Sequence, residues 1–133
     1  MGTQFTMTRG ISSDLLSEAR KAPHEEVCGL LLGAGRHVTA ILPAANVHPQ
    51  ADRFFEIDPA VLIAASRASR GGGPQVLGCY HSHPSGLAVP SATDAAMAAR
   101  DGKLWAIVAD EVIGWWRDGE SGFEALSSPA QRG

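Results

Sequence analysis

Residues 81–94, HSHPSGLAVPSATD, contain the side-chain types that bind divalent metal ions. His81 and His83 stand at positions i and i+2, so in an extended strand both imidazoles point to the same side. Ser91 stands where a helix would begin, and Asp94 follows at capping-box spacing, on the first turn of that helix. A strand end and a helix start that fold together would thus offer two nitrogens and one carboxylate. This set favours zinc with a fourth position left for water, as in catalytic zinc sites.

A metal-activated water needs a nearby group that accepts its proton, and in zinc hydrolases this base is usually a carboxylate. The upstream stretch PHEEVCGLLLG offers Glu25 and Glu26 at the entrance to an apolar run. Adjacent residues of a strand face opposite ways, so only one of the two can point toward the histidines. The residues alone leave both open.

Periodicity, caps and turn residues predict the elements that position this site. Helices are predicted over residues 11–22, 58–70 and 91–100. Strands are predicted over residues 26–33, 37–46, 53–58, 75–80, 104–110, 111–118 and 122–126. Strands with interspersed helices that end in a meander indicate one α/β (α+β) domain with a mixed sheet.

Composition limits the function classes that fit the chain. Its 133 residues are 44% hydrophobic and 19% charged, with a net charge of −3, so no basic surface for nucleic acid or an anionic membrane is indicated. Cys28 and Cys79 lie far apart without a CxxC pattern, so we expect two buried thiols rather than a disulfide. We therefore expect a cytoplasmic protein that binds neither nucleic acid nor membrane.

The domain is expected to cover residues 7–127. The opening MGTQFTM lacks apolar periodicity, so residues 1–6 are interpreted as an added leader before a natural start at Met7, or as disordered. Residues 128–133, SPAQRG, are expected to be a frayed tail.

The motif resembles the JAMM, or MPN+, metalloprotease family in its compact prokaryotic (Prok-JAB) form. EEVCGLLLG, RFFEIDP and GCYHSHPSGLAVPSATD follow the family's order and spacing, and the resemblance covers about residues 8–126. The resemblance implies a single JAMM/MPN-type domain with one catalytic zinc ion bound by His81, His83 and Asp94. It implies Glu26 as general base, because the family's glutamate directly precedes the apolar strand, with Glu25 as the alternative. Ser91 would stabilise the oxyanion.

The same resemblance implies hydrolysis of a peptide or isopeptide bond. The implied partner is a ubiquitin-like or sulfur-carrier protein, cleaved after its C-terminal Gly-Gly in a deubiquitinase-like reaction. Two alternatives remain: a non-catalytic MPN scaffold in a protein complex, and a metallohydrolase that acts on small molecules or cell-wall peptides. Oligomeric state is not indicated by any pattern in the chain.

Two stretches near the motif carry weaker expectations. The loop SGLAV between the metal-binding residues is apolar and contains Gly86, so it could flank a cleft that accepts an extended Gly-Gly tail. Trp115 and Trp116 cannot both face inward on a regular strand, so we expect one of them to be exposed or at an interface.

Overall fold

The structure, a computed structural model, describes residues 4–84 and 86–132. The helices are α1 (Ile11–Lys21), α2 (Pro59–Arg70) and α3 (Ala92–Met97). The strands are β1 (Thr6–Met7), β2 (Cys28–Ala34), β3 (His37–Ala44), β4 (Gln75–Ser82), β5 (Leu104–Ala109), β6 (Val112–Gly119), β7 (Gly122–Leu126) and β8 (Ala130–Gln131). Every predicted element is present except the strand over residues 53–58, although several ends differ by a few residues.

The strands form one eight-stranded sheet in the order β7-β6-β5-β4-β2-β3-β1-β8. β2 pairs antiparallel with β3 and β4, and β5, β6 and β7 form an antiparallel meander. β4 lies parallel to β5, and β1 lies parallel to β3 and β8. The predicted α/β (α+β) domain with a mixed sheet is therefore confirmed.

The parallel pair β4 and β5 determines where α3 lies. Parallel neighbours cannot be joined by a tight turn and need a crossover of about a dozen or more residues. Residues 83–103 make this crossover and contain α3. The helix therefore begins beyond the C-terminal end of β4, where the two histidines of the motif stand.

The core lies on both faces of the sheet. Ile11 and Leu15 of α1 are 2% and 0% exposed and pack on one face with the large core cluster. Along β5 the side chains alternate, so Trp105 turns to the other face and packs with Cys28 and Phe55. This smaller cluster lies on the face of β4 that carries the site.

The prediction of a strand over residues 53–58 is wrong. Only an isolated bridge links Asn46 with Ile57, and the N–H of Phe54 donates to the carbonyl of Gln50 as in a helical turn. Aromatic residues raise β propensity because they fit a half-buried pleated surface. Here Phe55 is buried against His81 and Trp105 of the finished sheet, so no ladder is needed.

The third helix is shorter than predicted. It ends at Met97, and Ala98 already has extended backbone, whereas the pattern continued to residue 100. Arg100 has a φ of 56° and its N–H donates to the carboxylate of Asp118, which is 1% exposed. A contact with β6, which sequence spacing does not reveal, therefore replaces the last helical turn.

The described parts of both chain ends belong to the fold, so the expectation of disordered or frayed ends is wrong there. Residues 1–3 and Gly133 lie outside the described residues. Phe5 is 8% exposed and belongs to the large core cluster. β1 and β8 pair with each other, and the N–H of Arg132 donates to the carbonyl of Met7 at 2.8 Å. Each end therefore supplies backbone partners to the other.

The two cysteines carry free thiols: Cys28 is buried and Cys79 partly buried. Burial raises the pKa of the Cys28 thiol to about 12 and raises the pKa of Cys79 as well. Among the described residues, none of the helices combines the length and apolar character that crossing a membrane requires.

Replacement of Phe5 tests whether the N-terminal segment stabilises the domain. We expect Phe5→Ala to lower the free energy of unfolding by about 3 kcal/mol, because it empties a ring-sized space in the core. Urea denaturation measures the change. The matched control is the exposed neighbour Gln4, where Gln4→Ala should change the free energy by less than about 0.5 kcal/mol. Equal stability of both variants would contradict this role.

Candidate metal centre and its cleft

The two histidines lie at the C-terminal end of β4. His81 pairs with Cys28 of β2 and Ile107 of β5, so strands on both sides fix its backbone. His83 follows just past the strand end, and its N–H donates to the carbonyl of Val108 at 2.8 Å. As predicted from the i and i+2 spacing, both imidazoles point to the same side, and their Nε2 atoms lie 3.1 Å apart.

Asp94 reaches the histidines because of the way α3 begins. Ser91 is the N-cap residue: its Oγ accepts from the N–H of Asp94 at 3.0 Å, and its own N–H donates to Asp94 Oδ2 at 2.9 Å. This is the capping box that the spacing predicted. The same Oδ2 atom lies 3.1 Å from His81 Nε2 and 3.2 Å from His83 Nε2. The cap therefore aims the carboxylate at both rings.

These three atoms have the separation of ligands around one metal ion. In a tetrahedral zinc site with metal–ligand distances near 2.0–2.1 Å, neighbouring ligand atoms lie about 3.3 Å apart. His83 Nδ1 lies 2.8 Å from the carbonyl oxygen of Leu87, which can only accept, so this nitrogen carries the hydrogen. In neutral His83 a lone pair on Nε2 then faces the carboxylate of Asp94, and a cation between them removes the repulsion. The donor set therefore fits a divalent metal ion.

Burial and mutual contact set the protonation of these groups. Burial acts to raise the pKa of Asp94, but its contacts with His81 and His83 outweigh burial and hold that pKa well below its usual range. Burial lowers the pKa of His81. Burial also opposes protonation of His83, yet contacts with Asp94 and the Leu87 carbonyl raise its pKa overall. An ionised aspartate and a neutral His81 are the forms that bind metal, and a bound cation would favour neutral His83 too.

Apart from the contacts of its Nε2 atom with Asp94 and His83, the ring of His81 is held by packing. It stacks on Phe55 with centroids 4.2 Å apart and an angle of 17°, and it meets Trp105 edge-on at 5.6 Å. Its Nδ1 is buried and has no hydrogen-bond partner among the described residues. Sequence analysis missed the contribution of Phe55 and Trp105 to the site, since neither residue carries a chemical group that the motif needs.

Of the two adjacent glutamates, Glu26 is the one whose carboxylate lies close to the histidines. It is 7% exposed, whereas Glu25 is exposed. A carboxylate oxygen of Glu26 and a nitrogen of each histidine lie within 4.8 Å of one another. Burial raises the pKa of Glu26 to about 7, with a smaller increase from Asp94 and an opposing effect of His83. β2 begins two residues later than predicted, so Glu26 precedes the ladder rather than belonging to it.

A cleft of about 420 Å³ opens over the site. Glu26, Arg53, His83, Leu87 and Ser91 are among the residues that line it. Leu87 is 72% exposed, so the loop between the metal-binding residues presents an apolar side chain at the cleft. Since Ser91 Oγ uses a lone pair to cap α3, its own hydrogen remains available for an acceptor in the cleft.

The loop that follows His83 is anchored to β6, a connection that sequence analysis did not find. The indole Nε1 of Trp116 donates to the carbonyl of Ala88 at 3.1 Å. A Cβ on Gly114 would lie 1.9 Å from that carbonyl oxygen, so only glycine admits this approach. The adjacent carbonyl of Leu87 accepts from His83, so the loop fixes the ring of that histidine. The sequence feature that pointed toward this anchor was the Trp115–Trp116 pair, of which one was expected to be exposed or at an interface. Trp115 is buried, and Trp116 is the partly exposed one.

Comparison with known proteins adds three findings. Residues 8–118 match the family model described as prokaryotic homologs of the JAB domain. The chain is 34% identical to the desampylase of Haloferax volcanii over 111 residues, which cover 79% of this chain and 80% of that protein. It is 43% identical over 75 residues to the probable TtuB-protein conjugate cleaving protease of Thermus thermophilus, and this match covers 56% of this chain but only 49% of that protein.

The fold is also similar to solved structures. A solution structure of a protein from Desulfitobacterium hafniense superposes with a TM-score of 0.81 at 27% identity, covering 97% of this chain and 94% of that one. The similarity therefore extends over the whole sheet and its helices, including the crossover that carries α3.

Asp94→Asn tests the metal-binding role of the aspartate separately from its cap. Asparagine keeps an oxygen that accepts from the Ser91 N–H, so we expect the helix start to persist. Asparagine lacks the negative charge, so the zinc dissociation constant should rise by at least about 100-fold. Loss of a residue that only contacts a ligand raises this constant by at most about that factor. Competition with a chromogenic chelator measures affinity, and thermal unfolding checks the fold. Wild-type affinity in this variant would remove Asp94 from the ligand set.

Trp116→Phe tests the anchor of the loop. Phenylalanine keeps a smaller aromatic ring at this position but lacks the donor to the Ala88 carbonyl, so the Leu87 carbonyl holds His83 less firmly. We expect the zinc dissociation constant to rise by about 10-fold, as for other outer-sphere partners. Val112→Ala, at a 59% exposed position of the same strand, is the control and should bind zinc as wild type does. No difference between the two variants would show that the anchor does not act on the metal centre.

Proposed function

This chain belongs to the family of prokaryotic homologs of the JAB domain and is a JAMM-type metalloprotease; we propose that it releases ubiquitin-like or sulfur-carrier proteins from their conjugates by hydrolysis after a C-terminal Gly-Gly. The observation that carries the proposal is the convergence of His81 Nε2, His83 Nε2 and Asp94 Oδ2 within 3.1–3.2 Å, beside buried Glu26. A scaffold without catalysis would not need a buried carboxylate beside an intact set of metal-binding groups.

The proposed cofactor is one zinc ion held by His81, His83 and Asp94. Two imidazole nitrogens and one carboxylate form a ligand set of catalytic zinc sites, which keep a position free for water or substrate. When bound, zinc supplies a Lewis acid for the scissile carbonyl and lowers the pKa of water.

Glu26 is proposed as the general base and acid. A carboxylate whose pKa is about 7 can take a proton near neutral pH and return it to the leaving amine. Its burial raises the pKa and also keeps the group among the reacting atoms, because Glu26 lines the cleft. Exposed Glu25 has neither property.

Ser91 is proposed to donate a hydrogen bond to the oxygen that gains negative charge during hydrolysis. Its Oγ is held in place as the cap of α3, so little reorganisation is needed when charge develops. The capping box therefore fixes both the Ser91 hydroxyl and the Asp94 carboxylate.

The substrate class is proposed from the cleft and from the two relatives. The relatives are named for the cleavage of protein conjugates, a desampylase and a TtuB-protein conjugate cleaving protease. The cleft lining includes Gly86 and the exposed Leu87. A chain that ends in two glycines can pass such a lining in extended form, because glycine has no side chain to clash. We place this activity in the cytoplasm, where thiols such as Cys28 and Cys79 stay reduced.

The activity can be tested with a ubiquitin-like carrier protein extended by a short peptide beyond its Gly-Gly, and with the same carrier joined to a lysine side chain. Intact mass should show release of a carrier that ends in Gly-Gly. We expect Glu26→Gln to lower kcat by about 10²- to 10⁴-fold while zinc stays bound, because the proton acceptor is lost and the ligands are not. Glu25→Gln is the matched control and should retain wild-type activity.

Each outcome distinguishes a role. Equal losses in both variants would exclude Glu26 as the specific base. Zinc binding without cleavage of either substrate would favour a scaffold, and faster cleavage of short free peptides than of carrier conjugates would favour a small-peptide hydrolase.

A further inference from the structure

The backbone of Glu26 is held by hydrogen bonds on both sides. Its N–H donates to the carbonyl of Ala51 at 2.8 Å, and its carbonyl accepts from Asn46 Nδ2 at 2.8 Å. The next peptide is held as well, because the N–H of Val27 donates to Ser82 Oγ at 2.9 Å. Glu26 precedes the ladder of β2, so these contacts replace the strand pairing that would otherwise fix it.

Asn46 joins Glu26 to the irregular segment that replaces the predicted strand. Its Nδ2 donates to the carbonyls of Glu26 and Phe54 at 2.8 and 2.9 Å. Its Oδ1 accepts from the N–H groups of His48 and Glu56 at 3.1 and 3.0 Å. The nitrogen faces only acceptors and the oxygen only donors, so the orientation of the amide is determined by its partners. The side chain thus has four partners, all of them backbone groups.

The segment that Asn46 closes also reaches the metal centre. Phe55, between two of its backbone partners, is 6% exposed and stacks on the ring of His81 at 4.2 Å. The Asn46 amide therefore connects the backbone of Glu26 with the segment that carries Phe55, whose ring supports His81.

We propose that Asn46 is a positioning residue, which sets the place of the Glu26 carboxylate relative to the metal-binding histidines through the hydrogen bond to the Glu26 carbonyl. This inference rests on the proposed function of Glu26 as base. A base must lie within hydrogen-bond reach of the proton that it moves, and a displacement of about 1 Å can cost about 10²-fold in rate. Asn46 is not part of the motif and touches no reacting atom.

Asn46→Asp keeps the hydrogen-bond acceptor of the side chain and removes its donor. The carboxylate can still accept from His48 and Glu56, so the segment keeps part of its closure. It cannot donate, so it faces the carbonyls of Glu26 and Phe54 without a bond. Val47→Asp is the matched control: it adds the same charge at the 44% exposed neighbouring position and leaves the amide intact.

The kinetic test is a double-mutant cycle on the extended carrier. We expect Asn46→Asp, assayed at saturating zinc so that a change in metal affinity through Phe55 does not contribute, to lower kcat by about 10- to 100-fold with KM within about 2-fold. In the Glu26→Gln background the same change should lower kcat by less than about 2-fold, because the group that it positions is already gone. Equal losses in both backgrounds, loss of zinc, or the same loss in Val47→Asp would overturn the proposal.

Amide hydrogen exchange measured by NMR gives a readout that does not depend on cleavage. In Asn46→Asp the Glu26 N–H keeps its acceptor, the Ala51 carbonyl, but Glu26 loses the bond at its own carbonyl, so its backbone should open more often and its amide exchange about 10-fold faster. The His48 and Glu56 amides keep their acceptor and their rates. Unchanged exchange at Glu26 would overturn the proposal. If the wild-type protein leaves the carrier intact, the proposed function fails, and the exchange comparison still decides whether Asn46 holds Glu26.

Discussion

The hydrogen bonds of the capping box between Ser91 and Asp94 are the contacts on which the proposed metal centre depends. One oxygen of Asp94 accepts from the Ser91 N–H and also faces both histidine nitrogens. The residue that starts α3 therefore also completes the set of metal-binding groups. Because the hydroxyl of Ser91 caps the same turn, an error in the helix start would displace the carboxylate and the hydroxyl donor together.

The sheet supplies the second constraint. β4 lies between β2 and β5, so His81 has a strand on either side, and its parallel pairing with β5 requires the crossover that contains α3. The strand end and the helix start are thereby brought to the same edge.

Around this centre, the side chains with chemical roles are oriented by residues that have none. His81 is supported by Phe55 and Trp105, and His83 by the carbonyl of Leu87, whose loop is tied to Trp116. Apart from the Leu87 carbonyl, these contacts come from segments distant in sequence. Burial has two effects here: it fixes these side chains, and it raises the pKa of Glu26 to about 7, where proton transfer near neutral pH is efficient.

The sequence by itself determined the groups and the local geometry of the site. The i and i+2 spacing of His81 and His83, and the capping-box spacing of Ser91 and Asp94, are local patterns, and the structure has both. Most helices and strands follow from periodicity for the same reason, since caps and alternation act over a few residues.

Only the tertiary structure shows which of Glu25 and Glu26 is buried against the histidines, because local patterns do not distinguish two adjacent glutamates. It also decided that residues 53–58 form no strand and that Phe5 and Arg132 belong to the fold. Those outcomes depend on partners far along the chain, such as the packing of Phe55 on His81 and the pairing of β1 with β8. Hydrogen bonds and packing between distant segments leave no periodic signal in the sequence, so they appear only when the chain has folded.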